Sequence, residues 1–318
     1  MVARGGDRTG HPFHGAGPRS GHSFAIFVGW AAPHWPYDQY PQEFNTYDPD
    51  GIPLRPNVPE PLEAYAQGEL AQYYGNISAL DAMMGRLLEA LERLGLAEDT
   101  LVCFTSDHGD HLWSHGFGRP YDEWLHPTRR GNKMTPYDES VHVPFIARWP
   151  GRVPVAEHCD ALFSSVDVRP TLLSLCGIEP PDAIAGMNLS HLLTGDAGPR
   201  RDAVYLQNMG YGWPPRREGI GFWRGVRTER WTYARWLHHE MGPLLFDRQS
   251  DPYEMENLAG REEFAETEAE LEGRLRRFMD ETGDPFETGE RDAAFGMLKL
   301  GQRFADERWA EIERERQA

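Results

Sequence analysis

Apolar positions along the chain follow three different spacings, and each spacing names an element. Phe24-Ala25-Ile26-Phe27-Val28, Thr100 to Thr105 (TLVCFT) and Val143 to Arg148 (VPFIAR) are short, almost continuous apolar runs. Such runs predict strands covered on both faces. From Leu62 to Leu94 the spacing changes to three and four: Leu80, Met83, Met84, Leu87, Leu88, Leu91 and Leu94 form one stripe, which predicts a helix closed by Gly95. A shorter helix is expected between Asp167, read as an N-cap with Pro170 in the first turn, and Gly177. After about Ala203 the texture alternates and becomes aromatic. Val204 to Leu206, Gly221 to Thr228, Trp231 to Trp236 and Leu244 to Asp247 predict a small antiparallel sheet. A charged helix from Glu262 to Met279 and a polar helical tail from Phe304 to Ala318 follow.

Strands alternating with helices predict an α/β fold with a mostly parallel sheet flanked by helices, completed by the small antiparallel sheet plus helix. The expected organisation is a disordered arm over 1–23, an α/β domain over 24–200, a β-sheet/helix subdomain over 201–285 and a polar tail over 286–318. The arm is rich in Gly, Arg and His and has little to bury. The Pro-rich stretch from Pro33 to Pro61 is a long loop, a class that in compact domains is functional or disordered.

Charge narrows the partners. Among 318 residues, 50 Asp plus Glu outnumber 32 Lys plus Arg, for a net charge of −18. That balance argues against nucleic acid and anionic membrane surfaces. It leaves an anionic substrate possible, because a bound metal reverses the local field. Cys103, Cys159 and Cys176 are too few and too scattered for a disulfide framework or a zinc site, and read as small buried hydrophobes. No apolar run reaches the ~20 residues of a membrane span, and the first twenty residues hold no secretory h-region. The expectation is a soluble, cytoplasmic protein.

The chemistry concentrates where strands end. Phe104-Thr105-Ser106-Asp107-His108-Gly109-Asp110 carries a strand into an Asp-His pair, at the carboxyl end where open α/β sheets bind ligands. Asp107 beside His108 suits a divalent cation or acid–base work. As an isolated tripeptide it reads more readily as a polar turn whose Asp caps the next element. His34, in Ala31-Ala32-Pro33-His34-Trp35-Pro36, also follows a strand, and alone it reads as a hydrogen-bonded loop histidine. Lys133, in Asn132-Lys133-Met134-Thr135-Pro136-Tyr137-Asp138-Glu139-Ser140, is either an exposed lysine or a point cation that holds an anion.

Together these stretches, SDHGDHLWSHG, K-x-TPYDES-x-x-VPFIARWPG and SSVDVRPTLLSLCGIEPP, with GWAAPHWPYDQYPQEF before them and FWRGVRTERWTYAR and LLFDRQSDPYEMENLA after, resemble the sulfatases of the alkaline phosphatase superfamily. The resemblance runs in order from about Phe24 to Phe278. It implies an alkaline-phosphatase-like fold, a Ca²⁺ or Mg²⁺ ion with Asp107 and His108 among its ligands, Lys133 on the sulfate oxygens and His34 as proton donor to the leaving group. His115, in Ser114-His115-Gly116, is implied as a further substrate-pocket residue. The implied substrate is a small aryl or carbohydrate sulfate, hydrolysed by a sulfuric ester hydrolase.

The sequence departs from the family pattern in one respect. The family's N-terminal part carries a metal-binding Asp pair and a Cys/Ser-x-Pro-x-Arg motif, whose Cys or Ser becomes the formylglycine nucleophile, and neither is found here. Three readings therefore stand: a sulfatase lacking that N-terminal part, a non-catalytic pseudoenzyme or binding protein that keeps the pocket, and a phosphate or phosphonate ester hydrolase of the same superfamily. Tyr211 to Pro215, Trp223 and Trp231 are either ring-stacking residues for a sugar or ordinary aromatics of the small sheet.

Overall fold

The computed structural model describes residues 2–4, 23–116, 133–155, 158–181, 184–208, 223–236, 242–284 and 286. The chain forms two compact units, residues 1–54 with 61–95, and residues 55–60 with 96–318.

In the first unit, β1 (Val2–Arg4) pairs in parallel with β2 (Phe27–Gly29). Part of the expected disordered arm is thus a strand, while residues 5–22 lie outside the described residues. β2 is not covered on both faces as its composition suggests, since Phe27 is 75% exposed. The reason is local: among the described residues its sheet contains β1 and nothing more. The Pro-rich loop holds only three short 3-10 turns, at Gln42–Phe44, Pro49–Gly51 and Glu60–Leu62. α1 (Glu63–Arg93) then runs for nine turns, and Gly95 takes φ 69° beyond it, the expected left-handed stop. The loop is seated on this helix at its midpoint. Asn76 donates to the Tyr37 carbonyl, Tyr37 meets Tyr73 edge to face at 5.7 Å, and the Tyr40 ring lies 2.5 Å from where a Cβ on Gly75 would stand. Of the predicted stripe only Leu80 is buried.

In the second unit, β3 (Val102–Thr105) pairs antiparallel with β4 (Phe145–Arg148). This pair departs from the parallel arrangement that the alternation of strands and helices suggests. Of the 39 residues between them, those described include one helix of the α type, the four-residue α2 (Asp138–Val141). α3 (Ser165–Leu175) begins one turn earlier than expected: Ser164 is the N-cap, and Asp167, the third helical residue, accepts the Ser164 backbone N–H at 2.9 Å. Pro170 accordingly lies inside the helix. Asp167 is fully buried, and it also accepts from the Met187 N–H at 2.7 Å and from Arg201. α4 (Ser190–Thr194) packs against α3. Two of the three cysteines, Cys159 and Cys176, are exposed rather than buried, and all three are free thiols.

The alternating region forms the expected sheet, a meander of β5 (Val204–Asn208), β6 (Trp223–Arg227), β7 (Trp231–Trp236) and β8 (Leu244–Asp247). α5 (Ala265–Thr282) covers one face. Val226, Tyr233, Leu245, Leu271, Leu275 and Met279 make the core beneath the helix, and Trp223, Ala234, Trp236, Leu244 and Phe246 fill the opposite face. Period-two alternation with both faces covered explains why every residue of β6 and β8 is buried. The residues expected in a polar tail lie outside the described residues, except Phe286, which is buried in the core under α5. Among the described residues no helix is long and apolar enough to cross a membrane.

Candidate active site

β3 delivers Ser106, Asp107 and His108 at its carboxyl end. Gly109 follows because nothing larger fits: a Cβ there would overlap the Glu139 carbonyl oxygen. The Gly109 N–H donates to the Ser140 carbonyl at 2.9 Å, which ties the Asp-His loop to the backbone around α2. The segment carrying Lys133 is fixed from two sides. His111 Nε2 and Thr135 Oγ1 lie 2.7 Å apart, and both residues are buried. On the other side Trp223 Nε1 and Asn208 Nδ2 both donate to the Met134 carbonyl, at 2.9 and 3.1 Å. The small sheet thereby positions the lysine, while Met134 itself takes φ 74°, a left-handed conformation that a non-glycine residue keeps only where its surroundings impose it.

The result is a close juxtaposition. Lys133 Nζ donates to His108 Nε2 at 2.6 Å, and His108 Nδ1 contacts the Gly109 carbonyl at 2.7 Å. The carbonyl can only accept, so Nδ1 carries the proton and Nε2 presents its lone pair. Asp107 Oδ2 is 3.8 Å from that same nitrogen, with its side chain 90% exposed. Asp107, His108 and Lys133, three residues expected in the site from the sequence, are therefore brought together.

His115, the fourth expected residue of this unit, lies in a buried cluster beside them. Its ring stacks on Tyr137 at 4.1 Å and meets His111 edge to face at 6.1 Å. Asn57 Nδ2 donates to Glu139 Oε1 at 2.7 Å and lies 3.1 Å from His115 Nε2. Arg55 reaches Glu139 at 3.2 Å. Burial alone would raise the Glu139 carboxyl, but contacts with His115 and Asn57 outweigh it and hold it down at about 2. Burial pulls His111 down to about 3, so this imidazole stays neutral. His115 is thus a packed and hydrogen-bonded residue within the wall of the site. Asn57, His111, Thr135 and Glu139 are the members that sequence reasoning leaves unassigned. His111 and Glu139 sit within the motifs that mark the site, but nothing in residue type separates a buried brace from a ligand. A run of left-handed residues, Leu112, Trp113 and His115, marks the same loop in the structure.

His34 belongs to the first unit. It is exposed, its Nδ1 lies 2.8 Å from the Trp35 carbonyl, and its N–H donates to Ala31 at 2.9 Å. The flanking Ala32–Pro33 and Trp35–Pro36 peptides are both cis. The aromatic candidates divide. Trp223 is buried in the sheet, Trp231 packs on Phe264, and residues 211–215 lie outside the described residues.

For a hard divalent cation, the donor chemistry of Asp107 and His108 is suitable but incomplete. A calcium ion takes 6–8 ligands, and among the described residues no group of three or more His, Cys, Asp or Glu side chains converges on one point. These two residues can contribute to a metal centre and do not constitute one.

The α/β scaffold thus presents a carboxylate, an imidazole and an ammonium side by side at one strand's carboxyl end. Comparison with known proteins gives the family. The sulfatase family model matches residues 13–178, and the model of the C-terminal region of N-sulphoglucosamine sulphohydrolase matches residues 131–281. The chain belongs to the sulfatase family. It is 34% identical over 271 residues to an ulvan-active sulfatase of Formosa agariphila, covering 83% of this chain and 49% of that protein. It is 31% identical over 286 residues to an endo-4-O-sulfatase of Bacteroides thetaiotaomicron, covering 83% and 53% respectively. A solved structure in complex with its substrate D-glucosamine-2-N,6-O-disulfate superposes with a TM-score of 0.61 at 27% identity, over 73% of this chain and 45% of that one. The chain spans about half the length of the relatives it matches.

Proposed function

We propose that this chain supplies the lysine and part of the metal-binding side of a sulfatase active site that hydrolyses sulfate esters of a carbohydrate. The observation that carries the reading is the 2.6 Å approach of Lys133 Nζ to His108 Nε2, beside Asp107 at the end of β3. The names of the relatives, which include sulfatases of sulfated sugars, support the substrate class. In this reading Lys133 neutralises charge on the sulfuryl oxygens, a stabilisation that grows as the ester bond breaks. His34 donates a proton to the departing sugar oxygen, which otherwise leaves as an alkoxide. Asp107 and His108 would contribute a carboxylate oxygen and the Nε2 lone pair to a Ca²⁺ or Mg²⁺ centre completed by groups other than these two, with Lys133 turned from Nε2 to the sulfuryl oxygens; when bound, the ion would polarise the sulfuryl group. Sulfatases in general also use a formylglycine nucleophile, and this sequence contains no Cys/Ser-x-Pro-x-Arg motif to supply it.

The test separates recognition from turnover. Calorimetry with D-glucosamine-2-N,6-O-disulfate in the presence of Ca²⁺ is expected to show binding that Lys133→Ala weakens about 10- to 100-fold, the range for a lost charged hydrogen bond. Equal binding by the variant sinks the proposal. Sulfate release measured on the same samples distinguishes a catalyst from a binding protein that keeps the pocket.

A further inference from the structure

Lys133 owes its place to the backbone of its neighbour. The Met134 carbonyl accepts from Trp223 Nε1 at 2.9 Å and from Asn208 Nδ2 at 3.1 Å, which occupies both of its lone pairs. The two donors are a matched pair. Asn208 and Trp223 stand directly opposite each other on β5 and β6, so their side chains share one face of the sheet. Trp223 belongs to the core on that face, with Trp236, Leu244 and Phe246, whereas Asn208 is only partly buried.

Asn208 is itself held from behind. Arg224 Nη1 donates to the Asn208 carbonyl at 3.0 Å, and Arg224 Nε and Nη2 donate to the Asp284 carboxylate at 2.8 and 3.0 Å. A two-pronged pair of this kind fixes direction as well as distance. Four residues beyond Met134 the same sheet takes hold again. Arg227 donates to the Asp138 carboxylate, and Glu254 Oε2 accepts the Asp138 N–H at 2.8 Å. Glu254 Oε1 in turn accepts Thr232 Oγ1, on β7, at 2.9 Å. The stretch from Met134 to Asp138 is thus gripped at both ends.

Met134 within that grip has φ 74°, a conformation that its side chain disfavours. Left to relax, it would swing the preceding residue away. We infer that Asn208, together with Trp223, is a positioning residue for Lys133: by donating to the Met134 carbonyl it keeps Met134 left-handed and so fixes the point from which Lys133 reaches out. In the structure Lys133 reaches His108. That the same hold serves sulfate recognition rests on the function proposed above; the hold on the backbone does not.

The full chain contains two lysines, Lys133 and Lys299, so amine acylation read by mass spectrometry measures Lys133 against an internal reference. An ammonium held in a hydrogen bond must leave its partner and lose a proton before it reacts. Asn208→Leu keeps the volume and removes the donor without opening the core, as a change at Trp223 would. It is expected to raise the acylation rate of Lys133 about threefold or more and to leave Lys299 unchanged, within the range for one neutral hydrogen bond. Adding Met134→Gly is expected to undo at least half of that rise, because glycine adopts positive φ without a side chain to oppose it. An unchanged Lys133 rate, equal acceleration of both lysines, or a double variant as fast as Asn208→Leu overturns the inference. Calorimetry with D-glucosamine-2-N,6-O-disulfate and Ca²⁺ reads the functional half. Asn208→Leu is expected to weaken binding about 3- to 10-fold in the unaltered chain and not at all in a Lys133→Ala background. A further loss in that background means that Asn208 acts elsewhere and overturns its role toward Lys133. If Lys133→Ala leaves sugar binding intact, the functional reading fails, and the acylation rates still decide the hold on the backbone.

Discussion

Gly109 and Glu139 join the two loops of the site, one through backbone contact and the other through its carboxylate. Gly109→Ala forces a Cβ onto the Glu139 carbonyl, and neither main chain can yield without moving the Asp107–His108 loop. A loss of about 1–3 kcal/mol is expected in urea unfolding, the range for overpacking, together with weaker sugar binding. Glu139→Gln acts differently. The wild-type carboxyl is depressed from 4.5 to about 2, so its contribution to stability is complete above pH 4.5 and disappears as the pH falls toward 2. The glutamine variant is expected to be about 1–3 kcal/mol less stable at neutral pH and to lose that part of the acid dependence. Unfolding curves of both proteins from pH 6 to pH 2 check it; parallel curves would contradict the charged state assigned here. These braces also show why the site was half legible. Asp107 and His108 announce themselves at a strand's carboxyl end, and Lys133 through the motif that surrounds it. His111 and Glu139 look just as chemical in the sequence, and only burial reveals that they hold the loop.

At the scale of elements, periodicity worked where both faces of an element are covered. The alternating aromatic segments became β5 to β8 within a few residues, and the stripe of α1 ended at Gly95 as its left-handed stop requires. It misled where cover is missing: Phe24 to Val28 and Val143 to Arg148 have the composition of buried strands, and the structure leaves Phe27 and Ile146 largely exposed. Composition records the environment a segment is suited to. The antiparallel sense of β3 and β4 was beyond reach because hydrophobic runs carry no direction. The helix over the meander gives a direct test. Leu275 is completely buried between α5 and the sheet, and Leu275→Ala is expected to cost about 2–5 kcal/mol. Thermal unfolding followed by tryptophan fluorescence reads it through Trp223, Trp231 and Trp236; a loss below 1 kcal/mol would mean that the helix is only loosely docked.

For the whole molecule, the net charge of −18 bears on encounter rather than on fold. A sulfated polysaccharide is itself a polyanion, so the long-range field opposes its approach while Lys133 and any bound cation favour it at contact. Raising ionic strength from about 10 to 150 mM shortens the Debye length from about 30 to 8 Å. Association with a sulfated polymer is therefore expected to quicken over that range, and stopped-flow measurement with labelled polymer checks it. A rate that falls with salt would contradict control of the encounter by the net charge.

The meander and its helix place the filled core late in the chain, and that order has a consequence during synthesis. β4 leaves the ribosome about a hundred residues before β8 is complete, an interval of ~5–20 s at 5–20 residues per second. Hydrophobic collapse of a chain this size takes microseconds. The open strands therefore stay translated and sticky through that interval, and newly made chains should be most prone to aggregate before the filled core is complete.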